Sequence, residues 1–129
     1  MQCISIDGDD VGRRITACYL NNDSEGLAKL SFAMKISVES ISDYLSKIGF
    51  SVVFCAADGV FAEANIDVDF EKVFCEVSKL APVGVTFSAG VGGTPRESYI
   101  ALMSAKSNGK NCVHKYSEVV SGVSGGWNV

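Results

Sequence analysis

The sequence contains little of several residue types that build common functional sites. Among 129 residues there are one histidine, one tryptophan, two prolines and five cysteines. The lone histidine, His114, follows the apolar residues of a predicted strand, which favours a structural or surface role over an imidazole-based relay. The cysteines are odd in number and form no Cys-x-x-Cys pair, which disfavours a disulfide framework or a zinc site.

Basic residues are also in short supply. Lys and Arg total 11 against 15 Asp and Glu, for a net charge of −4. We therefore expect no stable DNA or RNA binding, and any phosphate-bearing partner must be held by a local site or by metal ions. No apolar run approaches the roughly 18 residues that a bilayer span requires, and no signal peptide is recognisable. These absences predict a soluble cytoplasmic protein with no membrane partner.

The apolar periodicity predicts the element order β-α-β-β-α-β-α-β. The predicted elements are a strand at 3–6, a local helix at 11–20 capped by Asp9 or Asp10, a long helix ending at Gly49, strands at 50–55 and 60–64, a helix over 70–80, a strand from Val83 to Val91, a helix from about 95 to 108 and a strand at 112–115. The first six elements match a ferredoxin-like βαββαβ core, an α+β fold with an antiparallel sheet and helices on one face, here extended by an extra helix and strand. We expect one domain over residues 1–116 and a flexible Gly/Ser-rich tail over 117–129.

Two acidic residues occupy informative places in this arrangement. Asp7 ends the first strand, and Asp58 lies in an Asp-Gly turn between two apolar runs, a strong hairpin signal. In a βαββαβ sheet the first strand neighbours the hairpin, so the two carboxylates can lie side by side. Such a pair is stable only if one group is protonated or a cation lies between them, and oxygen ligands suit Mg²⁺ or Mn²⁺. The alternative is that both are solvated turn residues.

Two further features would suit a triphosphate. Asp9, Asp10, Val11 and Gly12 open a helix directly after the acidic strand end, where backbone N–H groups and the helix dipole favour an anion. Lysines also cluster near the end of the last main helix, at 106 and 110, where they could reach a β- or γ-phosphate. Ordinary capping of a helix C-terminus by lysine is the alternative.

Four segments in this order resemble the palm-type nucleotide cyclase and polymerase superfamily, which includes GGDEF diguanylate cyclases and the type III CRISPR polymerase palm. Residues 4–12 resemble the first metal motif, 55–60 the GGDD or GGDEF hairpin, 86–91 a Ser-x-Gly strand, and 101–111 a helix end of the "AL…AK…GRN" type. The short length is most similar to the minimal CRISPR polymerase (mCpol) group.

The resemblance implies a two-metal-ion nucleotidyltransferase. Asp7, Asp58 and the Gly8 carbonyl would hold two Mg²⁺ or Mn²⁺ ions, with Asp7 and Asp58 as catalytic residues. The implied nucleotide-binding residues are Asp9, Asp10, Val11, Gly12, Ala57, Gly59, Ser88, Lys106 and Lys110.

Several positions depart from the family pattern. Alanines replace the two small glycines of the hairpin, and Gly59 replaces its second acid. Diguanylate cyclases carry an asparagine eight residues after the first metal aspartate to read guanine, whereas this chain has Ile15 there, which favours adenine. Lys110 replaces the arginine of the GRN segment, retaining the charge without the bidentate fork.

We therefore expect the chain to make a cyclic di- or oligonucleotide messenger from nucleoside triphosphates, with ATP as the favoured substrate. Because cyclisation needs two nucleotides in opposite orientation, we expect a two-fold homodimer with facing sites. The resemblance implies antiphage signalling through a separate effector protein that senses the product. Two alternatives remain: a phosphoacceptor receiver-like domain, and a palm that binds nucleotide without catalysis.

Overall fold

A computed structural model describes residues 1–122. Its elements in chain order are β1 (Gln2–Gly8), α1 (Val11–Leu20), α2 (Ser24–Lys47), β2 (Ser51–Ala56), β3 (Gly59–Ala64), α3 (Phe70–Lys79), β4 (Phe87–Gly92), α4 (Pro95–Ser107), β5 (Val113–Lys115) and α5 (Tyr116–Gly122). No helix within these 122 residues combines the length and apolar character needed to span a membrane.

The five strands form one sheet in the order β2-β3-β1-β4-β5. The central strand β1 pairs antiparallel with both β3 and β4, whereas the short strand β5 runs parallel to β4. The α+β class and the βαββαβ core are confirmed. The receiver-like alternative is excluded, because a receiver requires parallel pairing where this sheet is antiparallel.

One face of the sheet carries the main core. Ile4 and Ile6 alternate with the polar residues of β1 and pack with apolar side chains of α2 and α3. Phe50, before β2, meets Phe70 of α3 edge to face, with ring centroids 6.2 Å apart. The helices of the βαββαβ core therefore lie on one face, as the sequence predicts.

Helix α4 covers the opposite face of β1 and β4. A Cβ atom added at Gly90 would lie 2.1 Å from the backbone nitrogen of Leu102, so the helix rests directly on the strand backbone. Ser5 of β1 and Ser98 of α4 bring their hydroxyl oxygens to 2.8 Å. Helix α4, which lies outside the βαββαβ core, therefore covers the face opposite to α2 and α3.

Two predicted boundaries are wrong. Strand β4 begins at Phe87 rather than Val83, because the N–H of Val85 donates to the Pro82 carbonyl and closes a turn that leaves Val83 99% exposed. Residues 117–122, predicted as part of a tail without structure, belong to helix α5, which packs against α4 and β4. The remainder of that predicted tail, residues 123–129, lies outside the described part of the chain.

Candidate active site

The site lies where the end of β1, the β2–β3 turn, the start of α1 and the end of α4 converge. In the central strand, Asp7 is paired with Gly59 of β3 on one side and Ser88 of β4 on the other. A side chain at the end of β1 is therefore surrounded by neighbours from distant parts of the sequence.

Asp7 and Asp58 lie next to each other, as the sequence predicts. The N–H of Gly8 donates to the Asp58 carbonyl at 2.9 Å, which fixes the turn against the end of β1. A Cβ at Gly8 would lie 3.4 Å from Asp58 Oδ2, and one at Gly59 would lie 3.3 Å from Asp7 Oδ1. Burial first, and the negative charge of Asp58 second, raise the pKa of Asp7 despite the opposing effect of Lys106.

Asp9 is almost fully buried and has hydrogen-bond partners of its own. Its carboxylate accepts hydrogen bonds from the hydroxyls of Thr86 and Ser88, both at 2.7 Å, from the N–H of Asn111 at 3.0 Å and from the ammonium of Lys106 at 3.1 Å. Burial alone would raise its pKa, but these donors outweigh burial and the pKa is lowered. Asp9 is therefore a buried anion that holds three segments together.

This arrangement corrects two predicted nucleotide contacts. Ser88 is 0% exposed, and its hydroxyl oxygen also accepts a hydrogen bond from the N–H of Asn111. The structure therefore places Ser88 and Asp9 beneath the site surface, where neither offers its polar group to a ligand. Sequence reasoning missed the roles of Thr86 and Asn111, although both lie in the segments that carry the family resemblance.

The two lysines of the α4 end have different partners. Lys106 Nζ lies 2.9 Å from the Gly8 carbonyl oxygen, 3.2 Å from Asp7 Oδ2 and 3.1 Å from Asp9 Oδ1. Burial lowers the pKa of Lys106, but the hydrogen bond to Asp9 and the charge of Asp7 outweigh it, so the pKa is raised. Lys110 instead pairs with Asp10 at 2.6 Å, in a partly exposed ion pair.

The start of α1 differs from the predicted cap. Asp10 occupies the N-cap position with a left-handed backbone, φ 60°, and its side chain makes no capping hydrogen bond. Asp9 does not cap the helix either, because its carboxylate is directed to β4 and α4. The first N–H groups of α1 are therefore not capped by either aspartate, and a Cβ at Gly12 would meet nothing within 4 Å.

A cavity of about 820 Å³ opens beside these groups, between α1, α2 and the β2–β3 turn. Its walls include four of the predicted site residues, Val11, Gly12, Ala57 and Asp58. The apolar part of its lining includes Val11, Ile15, Leu27, Leu30, Met34 and Val38. Its polar side chains, apart from Asp58, are Tyr19, Ser31, Lys35 and Glu39. This lining would suit a largely apolar group that adjoins a charged one.

The donor set fits a divalent cation that also binds substrate oxygens. Within residues 1–122 no three histidine, cysteine or acidic side chains form a metal cluster, and the Asp9 carboxylate is already held by Thr86, Ser88 and Asn111. Two carboxylates and the Gly8 carbonyl remain, and the Lys106 ammonium already binds oxygens of this set. Mg²⁺ is commonly held by one or two carboxylates completed by water and substrate phosphates.

Solved structures of GGDEF-type domains share this fold. The GGEEF domain of a diguanylate cyclase from Vibrio cholerae matches with a TM-score of 0.64 and 21% identity, over 89% of this chain and 81% of that one. The GGDEF domain of DgcB from Caulobacter crescentus, solved with c-di-GMP, matches with a TM-score of 0.62 and 17% identity, over 90% of this chain and 78% of that one. An EAL/GGDEF domain protein from M. capsulatus matches with a TM-score of 0.64 and 18% identity, over 89% of this chain and 83% of that one. A search of curated proteins finds no match.

The fold and the converging motifs define a palm domain of the nucleotide cyclase and polymerase type. The profile of the minimal CRISPR polymerase domain, mCpol, matches residues 3–116. The chain therefore belongs to the mCpol family.

Proposed function

We propose that the protein is a nucleotidyltransferase that joins nucleoside triphosphates, ATP in preference to others, into a cyclic di- or oligonucleotide messenger. The observation that carries this proposal is the adjacency of Asp7, Asp58 and the Gly8 carbonyl at the edge of the 820 Å³ cavity. That volume falls within the roughly 300–1,000 Å³ typical of small-molecule pockets.

Asp7, Asp58 and the Gly8 carbonyl would together hold two Mg²⁺ or Mn²⁺ ions. When bound, such ions lower the pKa of an attacking sugar hydroxyl and neutralise charge on the α-phosphate and the departing pyrophosphate. Asp7 is suited to this role because β1 is fixed between two partner strands. Asp58 is suited because the Gly8 N–H holds its backbone in place.

The start of α1 and the end of α4 would bind the triphosphate. The backbone N–H groups of Asp10, Val11 and Gly12 supply donors at the positive end of the helix dipole. Lys106 and Lys110 add positive charge from the other side. Because Asp10 is paired with Lys110, its carboxylate would repel a phosphate less than a free carboxylate would.

The cavity beside Gly12 and Ala57 would hold the base. Its apolar lining, which includes Ile15, supplies stacking surface. The asparagine with which related cyclases read guanine is replaced by Ile15, and this substitution supports ATP over GTP. Gly59 would contribute space rather than a ligand, because it has no side chain and pairs with Asp7 across strands β3 and β1.

A homodimer with facing sites would supply the two oppositely oriented nucleotides that cyclisation requires. The family membership supports a role in antiphage signalling in the cytoplasm, with a separate effector protein that senses the product. The homodimer is testable by analytical ultracentrifugation with and without ATP.

The test is to incubate the purified protein with each nucleoside triphosphate and Mg²⁺ or Mn²⁺, and to measure pyrophosphate and cyclic products. Asp7→Ala and Asp58→Ala should each abolish product formation. Asp43→Ala, at an exposed position on α2 away from the site, is the matched control and should retain it. Product formation by the Asp7 or Asp58 variants at the wild-type rate, or none by the wild type with any nucleotide pair, would contradict the proposal.

A second candidate function is nucleotide binding without turnover. The observation that favours it is Gly59, which stands where the related hairpins carry a second acid. In that case ATP binds with an affinity that isothermal titration calorimetry can measure, while no pyrophosphate is released.

A further inference from the structure

The ammonium group of Lys106 binds the oxygens that the proposed metal site needs. Its Nζ lies 2.9 Å from the Gly8 carbonyl oxygen and 3.2 Å from Asp7 Oδ2, and the side chain is only 20% exposed. An ammonium and a divalent cation on the same two oxygens would repel each other strongly, because both are positive and close together. Lys106 must therefore leave these oxygens before a divalent ion can use both of them.

We infer that Lys106 is a positioning residue that holds Gly8 and Asp7 in place before substrate binds. When substrate binds, the ammonium group of Lys106 moves from these oxygens to the terminal phosphates. This inference rests on the proposed function and adds an order of events to it. Metal and triphosphate would bind together, because the triphosphate offers the displaced ammonium a new anionic partner. Without nucleotide, the affinity for divalent ions would be low.

Lys106 can keep its contact with Asp9 when its ammonium group moves from Gly8 and Asp7 to the phosphates. The Asp9 carboxylate lies 3.1 Å from Lys106 Nζ and is fixed by Thr86, Ser88 and Asn111, outside the proposed metal donor set. Lys106 can therefore remain tied to Asp9 while its other two contacts change. This accounts for a buried carboxylate that otherwise has no part in binding substrate.

Lys110 provides a matched comparison. It lies four residues further along, carries the same charge and pairs with Asp10 at 2.6 Å. Asp10 is outside the proposed metal donor set. Neutralising Lys110 removes one positive charge from the same region without freeing the oxygens of Asp7 or Gly8. Lys110→Met therefore reports how much a lost positive charge alone strengthens metal binding, whereas Lys106→Met also frees the metal-binding oxygens.

The experiment is a Mn²⁺ titration of the nucleotide-free protein, with free Mn²⁺ followed by electron paramagnetic resonance. Lys106→Met should bind Mn²⁺ at least tenfold more tightly than wild type, and Lys110→Met should stay within about threefold. Adding Asp58→Asn to Lys106→Met should remove the gain. With ATP present, Lys106→Met should lose nucleotide affinity while wild type binds Mn²⁺ and ATP with positive cooperativity.

The outcomes separate this inference from the proposed function. Equal or weaker Mn²⁺ binding by folded Lys106→Met, with binding that still depends on Asp58, overturns the inference and leaves the metal site in place. Absence of Mn²⁺ binding in wild type and Lys106→Met, with and without ATP, overturns both.

A measurement on the wild type avoids dependence on a variant that fails to fold. The lysine ammonium groups can be followed by ¹H–¹⁵N NMR, with the Lys106 signal identified by its loss in the charge-conserving Lys106→Arg protein. The Lys106 signal should shift when Mg²⁺ and a non-hydrolysable ATP analogue are added together, and change little with Mg²⁺ alone at the same concentration. A Lys106 signal unchanged by the combination, under conditions where the analogue binds, contradicts the inference.

Discussion

The carboxylate of Asp9 accepts a hydrogen bond from the backbone N–H of Asn111 at 3.0 Å, across a sequence separation of 102 residues. The same carboxylate also binds the hydroxyls of Thr86 and Ser88. One buried anion therefore connects the end of β1, strand β4 and the segment between α4 and β5. These are the segments that deliver Asp7 and Lys106 to the candidate site.

Replacing Asp9 should destabilise the whole domain. In Asp9→Asn the amide NH₂ would face groups that are donors, and the Lys106 ammonium would lose a buried partner. We expect a loss of about 2–4 kcal/mol in the free energy of unfolding, measured by urea denaturation. Asp10→Asn, which changes an exposed aspartate in an ion pair, should lower the free energy of unfolding much less. Equal losses in the two variants would contradict this account.

The lowered pKa of Asp9 predicts a specific acid dependence. Because the folded pKa lies below the ordinary value of 3.8, the ionised carboxylate stabilises the fold above pH 3.8, and that stabilisation is lost as pH falls through the folded pKa. The stability gap between wild type and Asp9→Asn should therefore narrow below pH 3.8. Urea midpoints of both proteins between pH 7 and pH 2 test this, and a constant gap would be inconsistent with it.

Asp58 should influence the ionisation of Asp7. The pKa of Asp7 is raised by burial and by the negative charge of Asp58. Asp58→Asn removes that charge at nearly constant shape, so the pKa of Asp7 should fall towards its ordinary value. Carboxyl ¹³C NMR titration of both proteins measures it. Asp67→Asn, a substitution outside the site, should leave the pKa of Asp7 unchanged. An equally unchanged pKa of Asp7 in Asp58→Asn would show that Asp7 and Asp58 are not neighbours in solution.

The contact between α4 and β4 should tolerate no added side chain at Gly90. The Cβ of Gly90→Ala would lie 2.1 Å from the Leu102 nitrogen and 2.2 Å from the Ser98 carbonyl oxygen, both backbone atoms. We expect a loss of about 3 kcal/mol or failure to fold. Gly12→Ala, with no atom within 4 Å of the new Cβ, should instead stabilise α1 by up to about 1 kcal/mol. Thermal unfolding of the two variants distinguishes the cases.

Ile15 should contribute to base selection. Ile15→Asn would introduce into the cavity lining an amide that can hydrogen-bond to guanine. The ratio of ATP to GTP affinity, measured by calorimetry, should fall at least fivefold in this variant. Ile15→Val, which keeps the lining apolar, is the control and should keep the wild-type ratio. An unchanged ratio in Ile15→Asn would place base recognition elsewhere.

Local sequence signals predicted most of the fold because they reflect local physics. The three- and four-residue spacing of apolar side chains gave α2, and the Asp-Gly turn gave the β2–β3 hairpin together with the place of Asp58. The start of β4 was predicted wrongly because Val83 and Val85 continue the apolar alternation of the strand. In the structure these residues lie in a turn in which the Val85 N–H donates to the Pro82 carbonyl.

The interior of the site could not be predicted because it depends on long-range contacts. The segment from Asp7 to Asp10 contains three aspartates, and nothing local indicates that Asp9 alone is buried. Its partners are 77 or more residues away. The small residues Ser88, Gly90 and Gly92 on one side of β4 were a usable signal that a helix approaches this face closely.

The left-handed backbone at Asp10, φ 60°, and at Lys110, φ 63°, has a consequence for engineering this protein. Each such residue costs about 1–2 kcal/mol relative to a right-handed one, and glycine would relieve most of that strain. A library screened for heat resistance alone should therefore enrich glycine at both positions. The selected thermostable proteins would lack the Asp10–Lys110 ion pair. Only a screen for ligand binding would retain that pair.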